Sequence, residues 1–172
     1  TYHSPEELEM FPQKSGVTPF PTGEAETEMR LMRPDEAVEV SRLFYRCYGY
    51  SYMMDSIYYP DKLARLVHEG KIISAVILAG GKEIVGHVGL VRSEADSRIA
   101  DSGMAATKPN FRGLGSMKKM VYFLMDVARK VGLEGLFAEG VSFHVYSQRV
   151  GHACGFRDCA VVLGVIPLDV VF

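Results

Sequence analysis

The sequence predicts one α/β (α+β) domain: a mixed, mostly antiparallel sheet with helices on both faces. Three observations predict it. Runs of β-branched residues alternate with helical apolar patterns, two such runs flank the turn Gly80-Gly81, and a glycine-rich loop precedes a strongly amphipathic helix. A meander of neighbouring strands followed by a strand–helix–strand unit combines antiparallel and parallel pairing. The predicted element order is β-α-α-β-β-β-α-β-α-β.

The first half of the domain predicts a strand, two helices and a hairpin. Glu28–Arg33 alternates in polarity, as a short strand does. Helices are predicted from Pro34 and from Pro60, because proline suits a first turn and apolar residues follow at helical spacing. Ile72–Ala79 and Ile84–Val91 are predicted as the hairpin strands. The predicted buried stripes are Ala37, Val40, Leu43, Phe44 and Cys47 in the first helix, and Leu63, Leu66 and Val67 in the second.

The second half predicts a strand, the glycine-rich loop, and then helices alternating with strands. The helix after the loop carries apolar residues at helical spacing from Met117 to Val131, with lysines and arginines off that stripe. Glycines close both helices, as is common at helix ends. The elements predicted here are Ile99–Thr107, 117–131, Gly135–Val141, Ser142–Cys154 and Cys159–Ile166.

Length and composition are those of an ordinary globular chain. The 172 residues suit one domain, 48% of them are apolar, 23% are charged, and the net charge is −2. This balance leaves no basic footprint for nucleic acid. We find no apolar run that would span a bilayer and no signal peptide, so we expect no membrane partner and a cytoplasmic protein. Because Cys47, Cys154 and Cys159 form no CxxC pair, we expect reduced thiols and no metal site.

The two ends of the chain differ from its middle. Residues 1–27 are rich in proline and show no periodic pattern, which predicts a linker or an N-terminal arm. Residues 28–172 are predicted to form the domain. Because the chain begins at Thr1 and ends inside the apolar stretch Leu168–Phe172, we expect a piece of a longer protein. Other domains of that protein are therefore candidate partners.

The segment that carries chemistry is the loop at residues 110–116, Asn-Phe-Arg-Gly-Leu-Gly-Ser. Backbone N–H groups at a helix start have no partner within the helix, and the helix dipole adds partial positive charge there. Gly113 and Gly115 let a diphosphate approach the backbone, and Arg112 adds a fixed positive fork. The segment predicts an anion site, with an ordinary glycine turn as the alternative.

With this loop in this place, the chain resembles the GNAT superfamily of N-acetyltransferases over about residues 28–166. The family's acetyl-CoA signature, Gln/Arg-x-x-Gly-x-Gly/Ala, matches residues 110–115 except at Asn110. The hairpin segment 83–90 and the pair Gly155-Phe156 are also similar to the family. The resemblance implies acetyl-CoA as co-substrate and direct transfer of an acetyl group from its thioester to the amine of a small molecule or peptide.

The resemblance also implies how the cofactor binds. Its pyrophosphate would lie on the N–H groups from Phe111 to Ser116, and its pantetheine arm would run along the edge of the strand that precedes the loop. The cofactor-binding residues so implied are Met104, Ala105, Ala106, Thr107, Phe111, Arg112, Gly113, Leu114, Gly115 and Ser116.

Transfer to an amine calls for a base and an acid, and the sequence leaves both open. For the base we prefer Glu139 to Asp101, and a water chain without a dedicated base is the alternative. The family's tyrosine acid falls at Gly151 here, which leaves Tyr146 as the candidate acid. His144 matches a family asparagine and is a candidate proton shuttle, or a histidine with only a structural hydrogen bond.

Most of the tyrosines lie between residues 45 and 59, which the resemblance assigns to the wall of the acceptor site. Aromatic rings with polar tips suit an amine or a peptide end. We expect Tyr50, Tyr52 and Tyr58 near the cleft, whereas Tyr45 and Tyr48 are expected to cover the core.

Two other functions stay open. Because Gly151 replaces the family's tyrosine, the domain is alternatively a non-catalytic acyl-CoA sensor within a larger signalling protein. A plain interaction domain without a ligand is the third reading, and it would tolerate bulky residues at Gly113 and Gly115.

Overall fold

The computed structural model describes residues 26–141 and 145–163. Five strands form one sheet in the order β1-β2-β3-β4-β5, with antiparallel pairing as far as β4 and parallel pairing between β4 and β5. This confirms the predicted mixed, mostly antiparallel sheet. The strands are β1 (Thr27–Leu31), β2 (Ile72–Ala79), β3 (Glu83–Val91), β4 (Ile99–Thr107) and β5 (Gly135–Phe137).

The α-helices lie where the sequence predicts them. Short 3₁₀ turns precede three of them, at Pro34–Glu36, Asp55–Tyr58 and Pro109–Phe111. The α-helices in the described residues are α1 (Ala37–Tyr48), α2 (Pro60–His68), α3 (Ser116–Lys130) and α4 (Tyr146–Ala153).

Each face of the sheet has its own apolar core. On one face, Leu43 and Phe44 of α1 and Leu63 of α2 pack with Val76 of β2, and all four are fully buried. On the other face, α3 packs Met120, Leu124 and Ala128 against the alternate residues of β2 and β3. Successive side chains of a strand point to opposite faces, so one sheet serves both cores. Helices therefore cover both faces, as predicted.

The later elements are shorter than predicted. Strand β5 ends at Phe137 rather than Val141, because only Ile99–Asp101 of β4 pairs with it. The predicted final strand, Cys159–Ile166, is wrong at 159–163, which form no strand and are exposed. Its remaining residues, and residues 142–144 of the predicted last helix, lie outside the described residues. Val131, predicted in the stripe of α3, is 50% exposed because α3 ends at Lys130.

A buried carboxylate joins β1 to the start of α1. Arg30 donates two hydrogen bonds to Glu36, at 2.8 and 2.5 Å, and the Arg33 N–H donates a third at 2.8 Å. The hydrogen bond from Arg30 is the main cause that lowers the pKa of Glu36 below its usual value. Glu36 therefore stabilises the fold in its ionised form.

We expect Glu36→Gln to lower the free energy of unfolding by about 2 kcal/mol at neutral pH, because charge-assisted hydrogen bonds are lost. A carboxyl with a lowered pKa contributes stability above its unfolded pKa and loses it in acid. The deficit should therefore shrink as the pH falls through the pKa of Glu36. Urea denaturation measures it, and Glu39→Gln, which breaks only an exposed pair with Arg42, should cost under about 0.5 kcal/mol. Equal losses in the two variants would contradict this role.

Candidate active site

Strand β4 has a partner strand on both sides only at Asp101. Strand β5 pairs with Ile99, Ala100 and Asp101 and then ends, whereas β3 stays paired with β4 as far as Thr107. The rest of β4 therefore has no partner strand on the β5 side within the described part of the chain. We call residues Met104–Thr107, on this unpaired side, the β4 edge. An edge of this kind accepts an extended ligand as an added strand.

A bulge shapes the β4 edge. The pairing of β3 with β4 shifts register between His87 and Gly89, and opposite that shift the buried Met104 has a φ of 48°. A positive φ is unfavourable for a residue with a side chain, and such residues concentrate at functional sites. Bulges redirect backbone groups beside active sites. The bulge therefore sets the direction of the backbone that the sequence assigns to pantetheine.

Two buried side-chain oxygens in the described residues lack a hydrogen-bond partner, and both belong to β4. They are Oδ1 of Asp101 and Oγ1 of Thr107, one on each side of the bulge. Buried polar atoms are nearly always paired, so each exception needs an explanation. A ligand along the β4 edge is an explanation that accounts for both unpaired oxygens.

Side chains of α1 reach the β4 edge. The Tyr48 hydroxyl donates to the carbonyl oxygen of Ala105 at 2.7 Å, and the Cys47 thiol lies 3.6 Å from the carbonyl oxygen of Thr107. Arg112 Nε donates to that same oxygen at 3.1 Å. Helix α1 therefore forms one wall of a cleft along the β4 edge. The sequence assigned Tyr48 to the core, and its spacing of four residues after Phe44 gave no sign that its hydroxyl meets β4.

The glycine loop presents an exposed backbone at the start of α3. Gly113 and Gly115 have φ values of 80° and 72°, and a Cβ at either position would meet no heavy atom within 4 Å. The first backbone bond of α3 runs from the Lys119 N–H to the Gly115 oxygen. The N–H groups just before it therefore have no acceptor within the helix, which suits an anion.

Two of the predicted cofactor residues have a different local role. The N–H groups of Phe111 and Arg112 donate to the carbonyl oxygens of Lys108 and Pro109, at 2.9 and 3.1 Å, within the 3₁₀ turn. The Phe111 ring is buried in the core beneath α3. The donors left for an anion are therefore those of the segment 113–116, whose Leu114 side chain is 65% exposed.

The two candidate bases are close enough to interact, but their surroundings differ. Burial, and then the negative charge of Glu139, raises the pKa of Asp101 to about 6. Glu139 itself is exposed, beyond the end of β5. A carboxyl whose pKa lies near neutral in a partly apolar cleft has the properties of a general base. Burial thus distinguishes Asp101 from Glu139, the carboxyl that the sequence analysis preferred as the base.

Tyrosines of α1 and of the segment between α1 and α2 pack as two sets of rings that one hydrogen bond joins. Tyr48 and Tyr52 have ring centroids 5.2 Å apart, and those of Tyr50 and Tyr58 are 5.3 Å apart. The Tyr58 hydroxyl accepts a hydrogen bond from the Tyr52 N–H at 2.9 Å. Burial raises the pKa of Tyr58 to about 12 and raises that of Tyr52 further, so both stay neutral. Tyr50 lies at the rim and is 48% exposed.

The candidate acids are less well defined. Tyr146 is the first residue of α4 and is 72% exposed, and His144 lies outside the described residues. Gly151 lies inside α4 and itself carries no hydroxyl at the position where the family resemblance implies a tyrosine. Tyr146 is therefore the candidate acid whose position the structure describes.

An open strand edge that leads into a glycine loop at a helix start is a site for an extended ligand with an anionic end. The acetyltransferase (GNAT) family model matches residues 37–156, which include α1, the β4 edge, the loop and α4. The chain belongs to the GNAT acetyltransferase family, so the predicted family and enzyme class are confirmed. No curated protein sequence matches the chain.

Solved structures share the fold at low sequence identity. An acetyltransferase from Trypanosoma brucei is 15% identical with a TM-score of 0.63, over 80% of this chain and 97% of that one. The aminoglycoside N-acetyltransferase AAC(6')-Iy, in complex with CoA, is 17% identical with a TM-score of 0.64, over 84% and 95%. Glucosamine-6-phosphate N-acetyltransferase from Arabidopsis thaliana is 14% identical with a TM-score of 0.60, over 80% and 96%.

Two further observations bear on partners. In the described part of the chain, no helix is long and apolar enough to cross a membrane. The same residues contain no group of three or more histidine, cysteine or acidic side chains arranged to hold a metal ion.

We expect Glu139→Gln to lower the pKa of Asp101 from about 6, because a neighbouring negative charge is removed. The pKa should stay above 3.8, since burial is the larger cause and is unchanged. Carboxyl NMR titration measures both values. Glu134→Gln is the control, because Glu134 is exposed and pairs with Arg98. An Asp101 pKa that is the same in Glu139→Gln and in the wild-type protein would refute the interaction between Asp101 and Glu139.

Proposed function

We propose that the protein is an acetyl-CoA-dependent N-acetyltransferase that moves an acetyl group directly from the thioester to an amine. The observation that carries this proposal is the β4 edge, which has no partner on the β5 side in the described residues and leads through the turn Pro109–Phe111 to the exposed glycine loop. Family membership supports the reaction class, and CoA complexes among the similar structures support acetyl-CoA as donor.

The two halves of the cofactor would use different forces. Its pyrophosphate would accept hydrogen bonds from the N–H groups of residues 113–116, aided by the dipole of α3 and by Arg112. Its pantetheine amides would pair with the β4 edge. The Lys108 N–H donates to the carbonyl oxygen of Val85, so the backbone groups of Lys108 point towards β3. Backbone groups of successive strand residues point to opposite sides, so those of Thr107 point towards the open side of β4. The unpaired Thr107 hydroxyl offers one further hydrogen bond.

The acetyl transfer would proceed beside Asp101. The amine nitrogen attacks the thioester carbonyl carbon, the C–S bond breaks, the amine loses a proton, and the CoA thiolate leaves and takes a proton from solvent water. Asp101 would accept the amine's proton, directly or through one water molecule. Its unpaired, buried Oδ1 supports this role, because that oxygen has no competing donor among the described residues. Glu139 would then tune Asp101 through its charge.

The acceptor would bind between the tyrosine cluster and Asp101. Tyr50, Tyr52 and Tyr58 provide aromatic faces, and the carboxylates of Asp101 and Glu139 attract a cation. The similar structures include an aminoglycoside acetyltransferase and a glucosamine-6-phosphate acetyltransferase, both named for amine-bearing sugars. We propose an amine of a small molecule or peptide as the acceptor class. We also propose that residues 28–172 form one cytoplasmic domain.

Calorimetric titration with acetyl-CoA tests the loop. Gly113→Glu should weaken binding at least about tenfold, since a negative side chain would repel the pyrophosphate. Gly132→Glu is the matched control: this glycine is exposed, has a φ of 78°, and follows the opposite end of α3. Equal affinity in both variants, or no binding by the folded wild-type protein, would overturn the cofactor assignment.

The pH profile tests Asp101. Below a pH of about 6 Asp101 is protonated and cannot accept a proton, so kcat/KM should rise with pH through about 6. Asp101→Asn should remove this acid limb and lower kcat/KM by about 10²- to 10⁴-fold. Asp126→Asn, at an exposed ion pair on α3, should change neither.

Thiol release from acetyl-CoA reports turnover with an amine panel of glucosamine 6-phosphate, an aminoglycoside and a lysine-containing peptide. An acid limb that persists in Asp101→Asn would eliminate Asp101 as the base. Acetyl-CoA binding without turnover on any amine would favour the acyl-CoA sensor instead. The observations that favour a sensor are the exposed position of Tyr146 and the absence of a hydroxyl at Gly151.

A further inference from the structure

We propose that His87 is a positioning residue that fixes the bulge of β4 and thereby aims the backbone of Ala105 at the pantetheine arm. The inference rests on the proposed use of acetyl-CoA. His87 is fully buried and sits on β3 opposite the bulge. Its ring contacts the carbonyl oxygen of Met104 and acts on Ala105 through that peptide unit.

The hydrogen bonds of His87 define one tautomer. Its Nδ1 lies 2.7 Å from the Met104 carbonyl oxygen, and its Nε2 lies 2.9 Å from Oγ of Ser74. A carbonyl only accepts, so Nδ1 carries the proton, and Nε2 of the neutral ring accepts from the Ser74 hydroxyl. Burial lowers the pKa of His87 to about 4, so the ring is neutral near pH 7. The ring also packs edge-on against Phe44, at 5.4 Å.

The bond to Met104 orients the next residue. The peptide unit that joins Met104 to Ala105 is planar and trans, so its C=O and N–H point in opposite directions. Holding the Met104 oxygen on His87 therefore aims the Ala105 N–H away from His87, where it lies within reach of the Tyr52 hydroxyl. That N–H faces the cleft where the proposed pantetheine amides bind.

The conformation of Met104 needs such support. A non-glycine residue at a φ of 48° costs on the order of 1 to 3 kcal/mol, and persists only where its surroundings determine it. Strand β3 supplies the surroundings. A Cβ at Gly89 would lie 3.2 Å from Cβ of Met104 and 3.6 Å from Cε1 of His87. The small residue at 89 and the ring at 87 therefore fit the bulge together.

Two substitutions separate the hydrogen bond from the packing. His87→Asn keeps an amide nitrogen bonded to Cγ, where Nδ1 was, so it retains a donor for Met104 but loses volume. His87→Gln fills more of the space and reaches towards Ser74, but it leaves the Met104 oxygen without its donor. The asparagine variant should be the less stable of the two, because the cavity it leaves is larger.

The ligands also separate the two parts of the site. Acetyl-CoA uses the loop and the β4 edge, whereas 3′-phospho-ADP, the same nucleotide without pantetheine, uses the loop alone. By calorimetry, His87→Gln should weaken acetyl-CoA about tenfold and leave 3′-phospho-ADP within about twofold. His87→Asn should keep both affinities within about threefold of the wild-type protein, despite its lower thermal stability.

The outcomes distinguish the inference from its premise. If His87→Gln weakens both ligands equally, or if affinity for acetyl-CoA follows thermal stability across the two variants, His87 is a structural residue and the inference falls. If the wild-type protein binds neither ligand, the proposed function fails and the inference fails with it. If the wild-type protein binds 3′-phospho-ADP as tightly as acetyl-CoA, the pantetheine arm adds no affinity. The assignment of the β4 edge and the role of His87 then fall, whereas the assignment of the loop stands.

Discussion

Strand β4 pairs with β5 up to Asp101 and with β3 from Asp101 to Thr107, and the open side of the candidate site follows from the early end of β5. Where β5 is missing, the backbone polar groups of Met104–Thr107 need other partners, because leaving them unpaired in a buried place is costly. Helix α1 satisfies part of that need through Tyr48 and Cys47. The remaining capacity is what an extended ligand can use.

The site also divides into two electrostatic environments. The loop at 113–116 is exposed, so it suits a diphosphate that keeps part of its hydration while it binds the helix start. Asp101 is partly buried, and its raised pKa records the cost of holding a charge there. Under the proposed mechanism the two carboxylates attract the ammonium ion and Asp101 takes its proton, because only the neutral amine is a nucleophile. Under the proposed binding mode, the strand between these environments carries the pantetheine arm.

Repeating patterns made much of this structure predictable, and single long-range contacts did not. The bounds of β2 and β4 and the buried stripe of α1 agree with the sequence, because period and turn residues are local properties. The bulge at Met104 was not predictable, since the residues that adjoin it, Gly89 and His87, lie on another strand. The early end of β5 likewise depends on which part of β4 faces it. A preference between Asp101 and Glu139 needed burial, which no spacing in the sequence expresses.

The hydroxyls that occupy the β4 edge are compatible with the proposed ligand, but not equally. A carbonyl oxygen has two lone pairs, so that of Ala105 can accept from Tyr48 and from a pantetheine amide together. The Tyr52 hydroxyl lies close enough to the N–H groups of Ala105 and Met104, and to Asp101, for all three to affect its pKa. A backbone N–H serves one acceptor well, so under the proposed binding mode a pantetheine oxygen would take the Ala105 N–H and Tyr48 would keep its own contact. The Tyr52 hydroxyl would then be available to an amine beside Asp101.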